Sequence, residues 1–192
     1  DGIQAAGALR VDVKRDQVDF YACGSYKWLL GPSGAGFLYA REDILGELRP
    51  SETGYRAVKE HSLEEPALKD TAQRLEFGEP SYLSFVGTKA GIVLILSLGP
   101  ERIEGQVLRL SDRLYDGLSS LGVSLVTPEG ASLRSGVVSF ATDATKQHFG
   151  KLSKEGFIVS LRPAGIRVST GFYNTFEEVD RLLDRLAANV KG

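Results

Sequence analysis

Lys27 sits in the run Tyr21-Ala-Cys-Gly-Ser-Tyr-Lys-Trp-Leu-Leu-Gly-Pro-Ser-Gly-Ala-Gly-Phe-Leu-Tyr39. An apolar β-type segment (Val18, Phe20, Tyr21) leads into small residues, then the lysine, then Trp28 as an aromatic anchor. A glycine-rich turn, Gly31 to Gly36, and a second strand-like stretch, Phe37 to Tyr39, follow. An amine held where two strands and a turn converge is placed to condense with a carbonyl group and so to carry a carbonyl cofactor as a Schiff base. A lone turn lysine is ordinarily just solvated, so the argument rests on its flanks. Further groups able to do chemistry are the Asp1 carboxylate, the Gln4 amide, the Ser25 and Tyr26 hydroxyls, and the guanidinium groups of Arg167 and Arg162. A planar guanidinium grips a carboxylate at two points with charge-assisted strength. His61 and His148 are scattered, read as surface or cap residues, and form no metal-ligand spacing with the single cysteine, Cys23.

Three stretches carry a resemblance. They are Asp1-Gly-Ile-Gln4, the run Tyr26-Lys-Trp-Leu-Leu-Gly-Pro-Ser-Gly-Ala-Gly36, and Ile166-Arg-Val-Ser-Thr-Gly-Phe-Tyr-Asn-Thr-Phe-Glu-Glu-Val-Asp180. In this order and spread over almost the whole chain, they resemble the class V aminotransferase group of fold-type I pyridoxal-phosphate enzymes, which includes cysteine desulfurases and isopenicillin-N-epimerase-like proteins. The resemblance implies pyridoxal 5'-phosphate as cofactor and Lys27 as its Schiff-base lysine and catalytic proton shuttle. It assigns Asp1 to the pyridinium nitrogen, Gln4 to the phenolic oxygen, and Arg167, with Arg162 as a second candidate, to the carboxylate of an amino-acid substrate. Ser25 and Tyr26 are the cofactor-binding candidates for the phosphate, displaced by one residue from the Ser-Gly-His-Lys order of many relatives. Glu79 stands where relatives often have a threonine that reaches a neighbouring subunit's phosphate, and like charges there would repel. Asn174 and Thr175 read as structural. The group's desulfurases use a thiol near the carboxylate arginine, and Ser160 to Gly165 contains none. Transamination, epimerisation or elimination is expected instead, in a cytoplasmic homodimer. The alternative is a non-catalytic protein keeping the fold for dimerisation or binding.

The elements that must position these groups follow from patterning. Val18 to Ala22 and Phe37 to Ala40 read as strands, and Arg41 opens a short turn or helix. Pro50 to Gln73 is a polar surface segment containing Gly54 and Pro66. Tyr82 to Leu98 reads as a buried helix by length and apolarity. Pro100 then opens a helix to Leu121 with a stripe of Ile103, Val107, Leu110, Leu114, Leu118 and Leu121. Beyond Gly122, strands at Val123 to Val126, Gly136 to Phe140, Phe157 to Leu161 and Ile166 to Ser169 alternate with helices at Thr145 to Glu155 and after the capping box Thr175 to Glu178. Two helices on an antiparallel sheet make a small α/β sandwich. The expected fold class is therefore α/β: the carboxy-terminal part of a fold-type I transferase, with residues 1–98 the remainder of the large cofactor-binding domain. Residues 99–192 are the linking helix and small domain.

Composition limits the partners. The chain has 192 residues, 42% hydrophobic and 25% charged, with net charge −2. That balance disfavours nucleic acid and anionic membranes as partners. Its longest apolar stretch, Gly91 to Leu98, is too short to span a bilayer. One cysteine fits a reducing compartment. There is no methionine, and Asp1 belongs to a motif that ordinarily closes an internal strand. The chain is accordingly expected to be the carboxy-terminal half of a longer protein and a poor catalyst alone.

Overall fold

The computed structural model describes residues 1–60 and 67–190; His61 and Pro66, both noted above, lie outside the described residues. Two compact units divide the chain, Asp1–Ser97 and Leu98–Gly192.

In the first unit, β1 (Phe20–Gly24) pairs antiparallel with β2 (Gly36–Ala40), Phe20 opposite Ala40 and Gly24 opposite Gly36. β1 starts later than Val18 because a turn consumes the preceding residues. Asp12 Oδ1 accepts from the Lys14 and Arg15 amides, and Gln17 closes the turn with φ of 52°. A 3-10 helix follows at Glu42–Glu47 and another at Ala72–Leu75. Between them the described residues form only the bridge between Val58 and Leu68, in keeping with a polar, aperiodic segment. Helix α1 spans Tyr82–Leu98, the expected bounds, but its expected burial does not hold. Thr88, Gly91 and Ile95 are buried, while Leu83 (87% exposed), Val86 and Leu96 face solvent. A helix apolar all round needs cover on several sides, and here one stripe is covered.

The second unit carries the larger side-chain core. Helix α2 (Pro100–Ser120) buries the predicted stripe except Leu121, which is partly buried. Strands β3 (Ser124–Leu125), β4 (Val137–Ala141), β5 (Ser160–Arg162) and β6 (Gly165–Ser169) form an antiparallel sheet in the order β3-β4-β6-β5. Helices α3 (Thr145–Lys154) and α4 (Phe176–Val190) complete it. Three helices thus build this layer rather than two, because α2 also packs on the core of Phe140, Val138, Ile166 and Leu152. Gly117 lets α2 and α4 approach, since a Cβ there would lie 2.3 Å from Leu183 Cδ1. α4 opens on the predicted capping box. Glu178 Oε2 accepts from the Thr175 amide (3.0 Å), and Thr175 Oγ1 accepts from the Glu178 amide (3.3 Å). Among the described residues no single helix is long and apolar enough to cross a membrane.

Candidate functional site

Lys27 lies in a turn locked from several sides. Its carbonyl accepts from the Leu30 amide (3.0 Å), and Leu30 adopts φ of 58°, a left-handed conformation that costs a branched residue about 1–2 kcal/mol. Two glycines allow the close approaches. A Cβ on Gly7, itself at φ of 93°, would lie 2.5 Å from the Trp28 carbonyl oxygen, and one on Gly91 of α1 would lie 2.2 Å from the Leu29 carbonyl oxygen. The covered stripe of α1 is therefore the seat of the lysine turn. The Lys27 ammonium lies 5.9 Å from the Tyr26 ring centroid and forms no ion pair among the described residues. Cys23, four residues before it, is buried; burial pushes its thiol pKa up while the Lys27 charge pulls the other way. It is a core thiol rather than a nucleophile.

The segment before β1 is brought to this turn. The Gly2 amide donates to Ala22 O (2.7 Å), the Tyr21 hydroxyl donates to Gly2 O (3.2 Å), and the Ile3 side chain reaches Gly24. Asp1 is exposed, with Oδ1 accepting from the Ile3 amide (2.9 Å). Gln4 Oε1 accepts from the Trp28 indole N–H at 3.0 Å. Ser25, the other phosphate candidate, lies inside the turn itself. Its side chain is fully buried, and its hydroxyl lies 2.8 Å from Pro32 O and 3.0 Å from Ala35 O. With a single proton to donate, it holds the glycine turn together. The Tyr26 hydroxyl, by contrast, belongs to a residue 54% exposed.

The second unit holds the arginines. Arg167 lies in β6 opposite Ser139 of β4 and Ser160 of β5. Its Nε is buried without a hydrogen-bond partner, and no carboxylate pairs with it among the described residues. Arg162, at the end of β5, is exposed and lines a cavity of about 430 Å³ with Lys146 and Pro163. Asn174 ties the turn to α4: its Oδ1 accepts from the Gly171 amide (2.8 Å) and its Nδ2 donates to Glu178 Oε2 (3.0 Å). His148 is not on the surface. It is 7% exposed, with Nδ1 2.9 Å from the Thr142 hydroxyl.

Glu79 is engaged locally, accepting from the hydroxyls of Tyr55 and, at 2.6 Å, Tyr82. These bonds hold its carboxyl below the ordinary glutamate range. It lines a cleft of about 800 Å³ with Phe37, Arg56 and Phe85, and none of the predicted site residues borders that cleft.

Among the described residues, then, the Lys27 amine and the Arg167 guanidinium have no carboxylate partner, and the Gln4 amide is bonded to Trp28. The model of the aminotransferase class-V family matches residues 1–182. The chain belongs to the aminotransferase class-V family. Isopenicillin N epimerase of Streptomyces clavuligerus is 33% identical over 98% of this chain and 51% of its own length. Among solved structures, the apo cysteine desulfurase of Thermococcus onnurineus aligns with a TM-score of 0.90 at 30% identity, covering 98% of this chain and 51% of that one. The cystine C–S lyase C-DES, in complex with its product cysteine persulfide, aligns at 0.85 and 31% identity over 96% and 50%. A C-DES variant carries glycine covalently linked to its pyridoxal-phosphate cofactor. The chain spans about half the length of the curated relatives it matches. Class-V aminotransferases are pyridoxal-phosphate-dependent, and the fold here is the carboxy-terminal part of the fold-type I transferase architecture, as the resemblance implied.

The residues present fit that cofactor. Among the described residues Gln4 Nε2 has no partner and Lys27 has no competing carboxylate. The sequence reading misses the Trp28–Gln4 bond. Its signal was a donor-only indole directly after the lysine, read as packing alone.

Proposed function

We propose that this chain supplies the amine-bearing and carboxylate-gripping parts of a pyridoxal-phosphate enzyme acting on an amino acid. Residues 1–98 would serve cofactor binding, and residues 99–192 would form the linking helix and small domain. The observation that carries this reading is the Lys27 turn, clamped by Gly7, Ser25 and Gly91, with its amine free of any carboxylate among the described residues. Pyridoxal phosphate, when bound, supplies an electron sink for bonds at the substrate α-carbon. Lys27 would hold the cofactor covalently and then move the proton at that carbon. Asp1 would keep the ring nitrogen protonated, Gln4 would donate to the ring oxygen, and the Tyr26 hydroxyl would take the phosphate in place of the internally bonded Ser25. Arg167 would grip the substrate carboxylate from β6, where it pairs in register with Ser139 and Ser160. Arg162 is a second carboxylate candidate.

Transamination, epimerisation or elimination is favoured over desulfuration because Ser160 to Gly165 offers no thiol, and Cys23 is buried away from nucleophilic use. A cytoplasmic homodimer is the setting we infer from the resemblance. The test is spectroscopic rather than kinetic, because the chain spans about half its relatives' length. Pyridoxal phosphate should give a near-visible band that borohydride removes by fixing the cofactor on Lys27, located by mass spectrometry. Lys27→Ala should abolish both band and adduct. A band that persists in Lys27→Ala would sink this reading. Absence of any band would favour a non-catalytic protein that keeps the fold, which the displaced Ser25 and the tyrosine-bonded Glu79 would then explain.

A further inference from the structure

We propose that Trp28 is a positioning residue that sets the acidity of the Lys27 site by fixing the orientation of the Gln4 amide. The inference rests on the reading of Lys27 as the cofactor-bearing amine. The two ends of a glutamine amide have nearly the same shape but opposite hydrogen-bonding character: one accepts, the other donates twice. An amide with no fixed partner can present either end. The indole N–H is a donor only, so its bond to Gln4 at 3.0 Å assigns Oε1 to Trp28. Nε2 is left as the free end, with two N–H groups and no partner among the described residues.

Trp28 is itself held by its backbone. Gly7 admits the Trp28 carbonyl so closely that a Cβ would lie 2.5 Å away, and the Leu30 amide closes the turn onto Lys27 O at 3.0 Å. The same contacts that place Lys27 thus place the indole that orients Gln4. An amide locked in this sense can only donate to an oxyanion on a bound cofactor. Stabilising that oxyanion lets the coupled lysine nitrogen release its proton more readily, so the acid–base midpoint of the Lys27–cofactor band lies lower than an unlocked amide would give.

The test uses the whole chain with pyridoxal phosphate and follows the pH midpoint of its absorption band. Trp28→Phe keeps an aromatic ring but removes the N–H, so the Gln4 amide stays but is no longer oriented, and the midpoint should rise by a fraction of the roughly one pH unit expected when Gln4→Leu removes the hydrogen bond to a charged group. Gln4→Glu keeps an acceptor for the indole but replaces the NH2 by oxygen, and should raise it further. Gln4→Leu and the double variant with Trp28→Phe should share one midpoint, because Trp28 acts only through Gln4. A merely structural role would not move a midpoint in this pattern.

A second readout needs no cofactor. The chain has one tryptophan, so its single indole N–H resonance reports the bond, and it should shift in Gln4→Leu. A wild-type midpoint in Trp28→Phe alongside a raised one in Gln4→Leu would overturn the proposal, as would an indole signal indifferent to Gln4→Leu. A chain that forms no band at all would overturn the cofactor reading, with the indole signal still deciding whether Trp28 orients Gln4.

Discussion

Gly7 shows how much a residue without a side chain contributes to this site. Its φ of 93° and the 2.5 Å gap to the Trp28 carbonyl oxygen leave no room for a methyl group. Gly7→Ala should therefore destabilise the first unit by about 1–3 kcal/mol from backbone strain alone, with the clash adding to it. We expect a lowered thermal midpoint together with weakened pyridoxal-phosphate fixation at Lys27. Gly46→Ala, where a Cβ meets nothing within 4 Å, is the matched control. At this scale the sequence was legible as far as the family, whose motifs around Lys27, Asp1 and Gln4 the class-V match includes. It was illegible where a role depends on what a hydroxyl touches. Nothing in the sequence places the Ser25 hydroxyl beside Pro32 O and Ala35 O. Glu79 reads as misplaced until Tyr55 and Tyr82 are seen to donate to it.

Among the elements, α4 is the one whose start the sequence described most fully. Threonine and glutamate three residues apart satisfy each other's backbone amides, and Thr175→Ala should cost about 1 kcal/mol. The same cap makes the second unit sensitive to acid. Its bonds to Asn174 and the Thr175 amide hold the Glu178 carboxyl below the ordinary glutamate range. A carboxylate with a depressed folded-state pKa adds stability at neutral pH that is lost as pH falls below the unfolded value and through the folded one. Denaturant melts of wild type should thus weaken more steeply in acid than those of Glu178→Gln; the difference will be modest because the group is exposed. A steeper acid loss in the variant would contradict the cap's role. α1 shows the opposite case. Its bounds were legible from Tyr82 to Leu98, but its burial was not, since composition says a helix wants cover and not whether anything provides it.

Across the whole molecule, burial is unevenly divided. The fully buried large side chains Phe140, Leu110, Leu114, Leu118, Leu152, Ile166 and Leu186 all belong to Leu98–Gly192. Among the described residues of Asp1–Ser97 the buried apolar set is small: alanines, Cys23, Leu29, Leu45, Val58 and Ile95. Burying large aliphatic and aromatic side chains contributes roughly 1.5–3 kcal/mol each, so the second unit should be the more stable. Native-state hydrogen exchange should find its slowest amides in α2, β4, β6 and α4, while amides of β1 and β2 exchange through lower-energy openings. Equal protection in both units would refute this gradient. The outward face of α1 has a consequence of another kind. Leu83, Val86, Val93, Leu94 and Leu96 together offer water a stripe of hydrocarbon on an otherwise folded chain. Such a surface favours self-association whether or not anything unfolds. We therefore expect this chain to self-associate through α1 in concentrated solution, seen by light scattering as particle size rising with concentration and suppressed in Leu83→Glu.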